Sequence, residues 1–142
     1  YLMIRKLEIN DFENYLNLMK KFRNINTQIS KPEIINIYNK IFKNSIIYIF
    51  LIEDKIIGSI TILIEQKIIH NFGRAAHIED LYIDENYRKK NIGSQLIQAA
   101  IDYSQQQKCY KIILDASDTL TKFYNKNGFI RKESQFVQYL KI

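Results

Sequence analysis

Apolar residues recur along this chain with the period of strands in some segments and the period of helices in others. Two isoleucine-rich runs separated by Glu53-Asp54-Lys55 predict a β-hairpin. The spacing Ser30-x-x-Glu33 is that of a capping box and predicts the start of a helix. The predicted strands are 4–9, 45–52, 55–65, 76–83, 110–116 and one or two within 129–142, and the predicted helices are 12–22, 31–42, 92–107 and 120–126.

This order of elements predicts an α+β fold with helices flanking one central mixed sheet. The connection between Ile83 and Tyr110 is long enough to join two parallel strands through a helix. A chain of 142 residues is the size of one domain, so residues 1–142 are expected to form a single domain. No apolar run approaches the roughly 20 residues of a membrane-spanning helix, and no membrane span is expected.

The composition is that of a globular protein, with 46% hydrophobic and 25% charged residues. A net charge of +6 raises the question of nucleic-acid binding. However, 16 of the 21 basic residues are lysine, and Ile, Lys and Asn together make up 57 of 142 residues. Because this bias gives a basic surface without a binding motif, no nucleic-acid partner is expected. The single cysteine, Cys109, excludes an intrachain disulfide, is expected to be a buried small apolar side chain, and favours a reducing, cytoplasmic location.

The most informative segment is Arg88-Lys-Lys-Asn-Ile-Gly93, which follows a strand ending at Ile83 and opens a predicted helix. Backbone N–H groups at a helix N-terminus and adjacent basic side chains are the features that bind a diphosphate. Asn91 lies within this turn, and Asn tolerates the left-handed conformation better than most non-glycine residues. The segment therefore predicts an anion-binding loop.

Four further blocks give the chain a family resemblance. They are Ile64-Glu-Gln-Lys-Ile-Ile-His70, Gly73-Arg-Ala-Ala-His-Ile-Glu-Asp-Leu81, Cys109-Tyr-Lys-Ile-Ile-Leu-Asp115 and Phe123-Tyr-Asn-Lys-Asn-Gly-Phe129. Together with Arg88-x-x-x-x-Gly93, they resemble the glucosamine 6-phosphate N-acetyltransferases, a family of the GNAT superfamily. The resemblance covers residues 62–129, and the first 60 residues follow the family only in outline.

The resemblance implies the GNAT fold, with a twisted mixed sheet, and acetyl-CoA as co-substrate. It implies direct acetyl transfer, without an acyl-enzyme, to the amine of glucosamine 6-phosphate in UDP-GlcNAc biosynthesis. Substrates would bind where strands 76–83 and 110–116 separate. The resemblance also implies a homodimer whose C-terminal strand helps to build the partner's substrate site.

The same resemblance assigns site residues. It implies that Tyr124 protonates the departing thiolate, that Asp115 and Glu79 serve the substrate amine, and that a backbone N–H, most plausibly that of Leu81, stabilises the oxyanion. The implied acetyl-CoA-binding residues are Leu81, Tyr82, Ile83, Arg88, Lys89, Lys90, Asn91, Ile92, Gly93, Ser94, Tyr124 and Lys126. The implied substrate-binding residues are Thr27, Lys67, His70, Glu79, Asp80 and Asp115. Two histidines and one cysteine give no metal-ligand cluster, so no metal is expected.

Two positions depart from the family pattern. Ile25 stands where many members have a phosphate-contacting threonine, with Thr27 two residues later, and Tyr139 stands where members have an arginine. Both departures concern the phosphate. Acetylation of another amine, such as a polyamine or a peptide N-terminus, is therefore the nearest alternative. A CoA-binding module without catalysis and a basic nucleic-acid binder are more distant ones.

Glu79 and Asp80 are adjacent in a predicted strand, so their side chains are expected on opposite faces of the sheet. On that expectation the two carboxylates do not act as a pair.

Overall fold

A computed structural model describes residues 1–25 and 28–142 of the chain. In these residues five strands form one sheet in the order β1-β2-β3-β4-β5. The strands are β1 (Leu2–Lys6), β2 (Ser45–Ile52), β3 (Lys55–Gln66), β4 (Arg74–Ile83) and β5 (Cys109–Ile113). The helices are α1 (Phe12–Phe22), α2 (Lys31–Ile41), the short turn α3 (Ile69–Phe72), α4 (Ile92–Gln106) and α5 (Thr121–Lys126).

The sheet is mixed, as predicted. Neighbouring strands from β1 to β4 are antiparallel, and β4 pairs with β5 in parallel through the crossover helix α4. The β2–β3 turn is made by Glu53 and Asp54, both with positive φ (49° and 64°), which matches the right-handed twist of a tight hairpin. The capping box is also present, because Glu33 N–H donates to Ser30 Oγ at 3.4 Å and Ser30 N–H donates to Glu33 at 3.1 Å.

Helices cover both faces of the sheet because its central strands β2 and β3 are nearly continuous apolar runs. Successive side chains point to opposite faces, so both faces are apolar. On one face α4 packs against β3 and β4, and the fully buried residues of this core include Ile60, Ile62, Ala76, Leu96 and Ile97. On the other face α1 packs against β3, and this second core includes Phe12, Leu18, Ile47 and Ile49. The amphipathic faces seen in the sequence are therefore the faces that the helices bury.

The prediction of one or two closing strands within 129–142 is wrong. Residues 129–142 have no regular secondary structure, and the large apolar side chains after Phe129 face solvent, with Phe136 95% exposed. Strand propensity needs a partner strand to satisfy it, and β5 remains an edge strand in the described part of the chain. None of the described helices is long and apolar enough to cross a membrane.

Candidate active site

The two parallel strands separate part-way along their length. β4 and β5 are paired only from Arg74 opposite Cys109 to His77 opposite Ile113. β5 ends at Ile113, whereas β4 continues to Ile83 without a partner on that side. The carboxyl ends of parallel strands are where ligands commonly bind in open sheets. The opening predicted between the two strands is therefore present.

A β-bulge lies in β4 beside this opening. Thr61 of β3 is opposite Glu79 and Ser59 is opposite Tyr82, so Asp80 and Leu81 together oppose a single residue of β3. Asp80 has φ +50°, in the left-handed region. A bulge interrupts the ladder of hydrogen bonds and redirects the strand. It also breaks the strict alternation expected for Glu79 and Asp80, and both side chains are exposed. The alternation expected for Glu79 and Asp80 requires a regular strand, and β4 is not regular at Asp80.

Three carboxylates interact at this opening. Partial desolvation, followed by the negative charges of Asp80 and Asp115, raises the pKa of Glu79 above its usual value. Asp115 lies two residues beyond the end of β5, and its Oδ2 accepts a hydrogen bond from Gln135 Nε2 at 2.9 Å. A carboxylate with a raised pKa is a stronger base, so Glu79 is well suited to accept a proton from an ammonium group.

Tyr124 lies on α5, the short helix after β5. Its ring makes edge contacts with Phe123 and Phe129, at centroid distances of 5.0 and 5.9 Å. Burial raises the pKa of the Tyr124 phenol. A phenol with a raised pKa keeps its proton at neutral pH and remains able to donate it. The environment of Tyr124 is therefore compatible with a proton donor.

The basic segment forms a turn at the N-terminus of α4. Asn91 is the N-cap residue with φ +62° and ψ +18°, the left-handed conformation expected for it. Lys89 is also left-handed, with φ +68°. The Asn91 side chain does not cap the helix, so it leaves the N–H groups of the first turn for another acceptor. The buried Ser94 Oγ has no hydrogen-bond partner in the described residues. These free donors, in a turn with three basic side chains, fit a diphosphate.

Other predicted CoA-binding residues surround this turn. Arg88 Nε donates to the Ile83 carbonyl at 3.0 Å, and its guanidinium lies 5.5 Å from the centroid of the Tyr82 ring. Lys90 Nζ lies 5.6 Å from the ring centroid of Tyr87. Lys126, at the end of α5, is 5.8 Å from the ring centroid of Phe123, which also packs against Gly93 of α4. The structure thus brings the end of β4, the start of α4 and α5 together.

Two of the predicted phosphate-binding residues have partners within the chain. Lys67 Nζ forms an ion pair with Glu65 at 3.1 Å, and the His70 ring packs against that of Tyr110 with ring centroids 4.3 Å apart. His70 lies in α3, where backbone φ is positive at residues 70–72. Neither Lys67 nor His70 lines the cavity next to Glu79. Thr27 lies outside the residues that the structure describes.

Sequence reasoning missed the residues that accompany Glu79. A cavity of about 390 Å³ is lined by Asn44, Leu63, Ile64, Glu65, Gln66, His77 and Glu79. His77 Nε2 lies 2.8 Å from Glu65 Oε1. The period of two along β4 already places His77 beside Glu79, but only the register of β3 against β4 adds Glu65. Tyr15 of α1 was also not identified from the sequence. Burial, together with the charge of Asp80, raises the pKa of the Tyr15 phenol to about 12. In the described residues no three His, Cys, Asp or Glu side chains are grouped to hold a metal ion.

Comparisons with known proteins agree with this geometry. Residues 12–129 match the model of the acetyltransferase (GNAT) family. Glucosamine 6-phosphate N-acetyltransferase 1 of Dictyostelium discoideum is 36% identical over 96% of this chain and 89% of its own length. An acetyltransferase structure from Trypanosoma brucei superposes with a TM-score of 0.94 at 30% identity, covering 99% of this chain and 100% of that one. The crystal structure of glucosamine-6-phosphate N-acetyltransferase from Arabidopsis thaliana superposes with a TM-score of 0.90 at 29% identity, covering 99% of each chain.

Proposed function

This chain belongs to the acetyltransferase (GNAT) family, and on that premise we propose that it transfers the acetyl group of acetyl-CoA to the amine of D-glucosamine 6-phosphate, giving N-acetylglucosamine 6-phosphate. The observation that carries this proposal is the 36% identity to a glucosamine 6-phosphate N-acetyltransferase across 96% of the chain. The three interacting carboxylates beside the opening between β4 and β5 support it, since an amino sugar is a cation until it loses a proton.

In the proposed reaction Glu79 and Asp115 handle the substrate amine. The amine attacks only in its neutral form, and the Glu79 carboxylate accepts the proton that the ammonium loses. Asp115 orients the amine toward the thioester carbon. The nitrogen forms its bond to that carbon while the carbon–sulfur bond breaks, and the electron pair leaves on sulfur. Tyr124 then gives its phenolic proton to the thiolate of CoA, and the second proton that the nitrogen loses on becoming an amide returns to the Tyr124 phenolate. The acetyl group passes from sulfur to nitrogen in one transfer, so no acyl-enzyme forms.

The β4 bulge supports a second catalytic role. During attack the thioester oxygen gains negative charge, and a backbone N–H aimed at that oxygen stabilises the transition state. We assign this role to Leu81, which follows the left-handed Asp80 in the interrupted ladder. Backbone groups of Tyr82 and Ile83 extend the unpaired edge of β4 and pair with the pantetheine arm as an added strand would.

The turn before α4 binds the diphosphate of acetyl-CoA in this proposal. The N–H groups at 91–94 supply neutral donors at the positive end of the α4 dipole, and basic side chains supply charge. The residues assigned to the diphosphate are Arg88, Lys89, Lys90, Asn91, Ile92, Gly93 and Ser94, with Lys126 beside them. The buried, unpartnered Ser94 Oγ is the observation that most favours a ligand here.

The sugar phosphate remains assigned to Thr27, Lys67 and His70, and the sugar hydroxyls to Asp80. Lys67 is half of an ion pair with Glu65 and exchanges that partner for phosphate. Tyr139, at the place of the family's arginine, is exposed and does not supply a positive charge. This observation keeps a second candidate open, acetylation of an amine that carries no phosphate.

The test compares acceptors. Release of CoA thiol from acetyl-CoA is measured with glucosamine 6-phosphate, glucosamine, spermidine and a short peptide. Turnover with the phosphorylated sugar and little with free glucosamine is the expected result. Turnover with spermidine or the peptide instead contradicts the assigned substrate and keeps the acetyltransferase. No turnover with any of the four, despite normal CoA binding, indicates a binding module, and steeply salt-dependent binding of RNA or DNA favours a nucleic-acid function.

We also propose that residues 1–142 form one acetyltransferase domain that acts as a cytoplasmic homodimer. The segment 130–142 exposes a row of apolar side chains, and β5 beside it is an edge strand with Tyr110 and Ile113 exposed. Exposed apolar patches and open sheet edges favour association. The segment also touches the site, because Gln135 donates to Asp115 and Arg131 forms an ion pair with Asp118 at 2.6 Å.

Phe136→Asp is expected to convert the dimer into a monomer, because it places a charge in the middle of this apolar segment, at a side chain that is 95% exposed. Leu2→Asp is the matched control, since Leu2 is also an exposed apolar residue but lies at the opposite edge of the sheet. Sedimentation velocity measures the oligomeric state and the acetylation assay measures activity. A wild-type protein that sediments as a monomer with full activity contradicts the dimer.

A further inference from the structure

The carboxylate of Asp84 is completely buried where β4 passes into the basic turn. Its Oδ2 accepts a hydrogen bond from Lys21 Nζ of α1 at 2.7 Å, and its Oδ1 accepts one from the backbone N–H of Asn86 at 3.1 Å. Its own N–H donates to the Ile57 carbonyl of β3 at 2.8 Å, and its carbonyl accepts the N–H of Tyr87 at 2.8 Å. All four polar atoms of one residue therefore fix the start of the loop that leads to α4.

A second contact joins the same two parts of the molecule. Phe22, next to Lys21 in the last turn of α1, stacks on Tyr82 with ring centroids 4.9 Å apart. The guanidinium of Arg88 lies near the centroid of the same Tyr82 ring, at 5.5 Å. The last turn of α1 thus contacts the chain at Tyr82 and at Asp84, where β4 ends, and Arg88 of the basic turn contacts the same Tyr82 ring.

The buried negative charge of Asp84 requires the positive charge of Lys21 beside it. A buried carboxylate without a partner carries a large desolvation cost, and a negative charge at the root of this loop opposes the binding of an anion. The hydrogen bond from Lys21 holds the pKa of Asp84 below its usual value, so the carboxylate stays ionised and neutralised together with the ammonium. The side chain of Lys21 is 48% exposed, whereas that of Asp84 is 1% exposed.

We propose that Lys21 and Asp84 are a positioning pair for the acetyl-CoA diphosphate. Lys21 neutralises Asp84 and holds it in place, and Asp84 holds the turn at 85–87, so that the N–H groups at 91–94 are preformed for the diphosphate. Neither residue contacts the reacting atoms in this proposal. The inference rests on the proposed function in one respect, that the ligand of this loop is acetyl-CoA.

Lys21→Met tests the pair, since it keeps most of the length of the side chain and removes its charge. The variant leaves the buried Asp84 carboxylate without its partner, so thermal denaturation first establishes that it is folded at the temperature of the binding measurement. The dissociation constant for CoA, measured by isothermal titration calorimetry, is expected to rise about tenfold, the equivalent of losing one hydrogen bond to a charged group. Lys21→Arg restores the charge and is expected to recover most of the affinity. Lys20→Met is the matched control, because Lys20 lies on the same helix and donates to Asn17 instead.

A truncated donor separates positioning from general damage. S-acetylpantetheine carries the thioester but no diphosphate, so Lys21→Met is expected to lower kcat/KM with acetyl-CoA and leave kcat/KM with S-acetylpantetheine unchanged. An equal fall with both donors, or wild-type affinity for CoA in Lys21→Met, overturns the proposal. Failure of the wild-type protein to bind CoA overturns the proposed function and this inference together, whereas the other outcomes concern the pair alone.

Discussion

Tyr124→Phe is expected to lower kcat by about 10- to 1000-fold, the range of a lost general acid, with little change in CoA affinity. The Tyr124 ring packs between Phe123 and Phe129, and phenylalanine keeps both ring contacts. The substitution therefore removes only the hydroxyl, which is the group assigned to protonate the thiolate. Steady-state kinetics gives kcat, and calorimetric titration with CoA gives the affinity.

The matched control for Tyr124→Phe is Tyr48→Phe. Tyr48 is also partly buried in the core beneath α4, where its ring makes an edge contact with Tyr103, and burial raises the pKa of its phenol as well. It lies on β2, away from the opening between β4 and β5. Its variant is expected to keep the wild-type kcat. Unchanged kcat in Tyr124→Phe removes Tyr124 from the mechanism, and an equal fall in both variants points to loss of core packing.

Gly93→Val is expected to weaken CoA binding about 10- to 100-fold, corresponding to an overpacking cost of roughly 1–3 kcal/mol. Gly93 has no Cβ atom, and one added to its backbone would lie 3.1 Å from Phe123 Cζ. Valine adds two further methyl groups to that atom. Phe123 must move, and Tyr124 follows it on α5. The same substitution crowds the N–H groups at the start of α4, so both binding and kcat are expected to fall.

Gly93→Ala is the graded control, because it adds only the Cβ atom and Phe123 has to shift by a few tenths of an ångström. The alanine variant is expected to lose less CoA affinity than the valine variant, and thermal denaturation checks that both remain folded. Wild-type CoA affinity in folded Gly93→Val contradicts the assignment of this turn to the diphosphate.

Local features of the fold were predictable from the sequence because neighbouring residues decide them. The capping box at Ser30 and Glu33 and the hairpin turn at Glu53 and Asp54 each depend on a few adjacent residues. The left-handed Asn91 is consistent with the sequence, since Asn tolerates this conformation better than most non-glycine residues. The family resemblance came from similarly short blocks and supplied the fold as a whole.

Features that depend on distant pairing were mispredicted or missed. The bulge at Asp80 arises from the register between β3 and β4, and the regular alternation of β4 gave no sign of it. The residues 129–142 have a strand-like composition, but they do not pair with the open edge of β5 and form no strand. The antiparallel register of β3 and β4 places Glu65 in the same cavity as Glu79. Lys21 contacts Asp84 although the two residues are 63 positions apart in the sequence.

The sequence by itself determined the order of elements up to α5, the faces that the helices bury and the turn before α4, and its short blocks of residues identified the family. Each of these follows from a period or a spacing within a few residues, where local sterics and hydrogen bonding dominate. Only the tertiary structure decided which carboxylates interact, where β4 separates from β5 and what neutralises Asp84. Those depend on strand register and helix docking, because Coulomb interactions, desolvation and steric contact act through space between residues that are far apart in the chain.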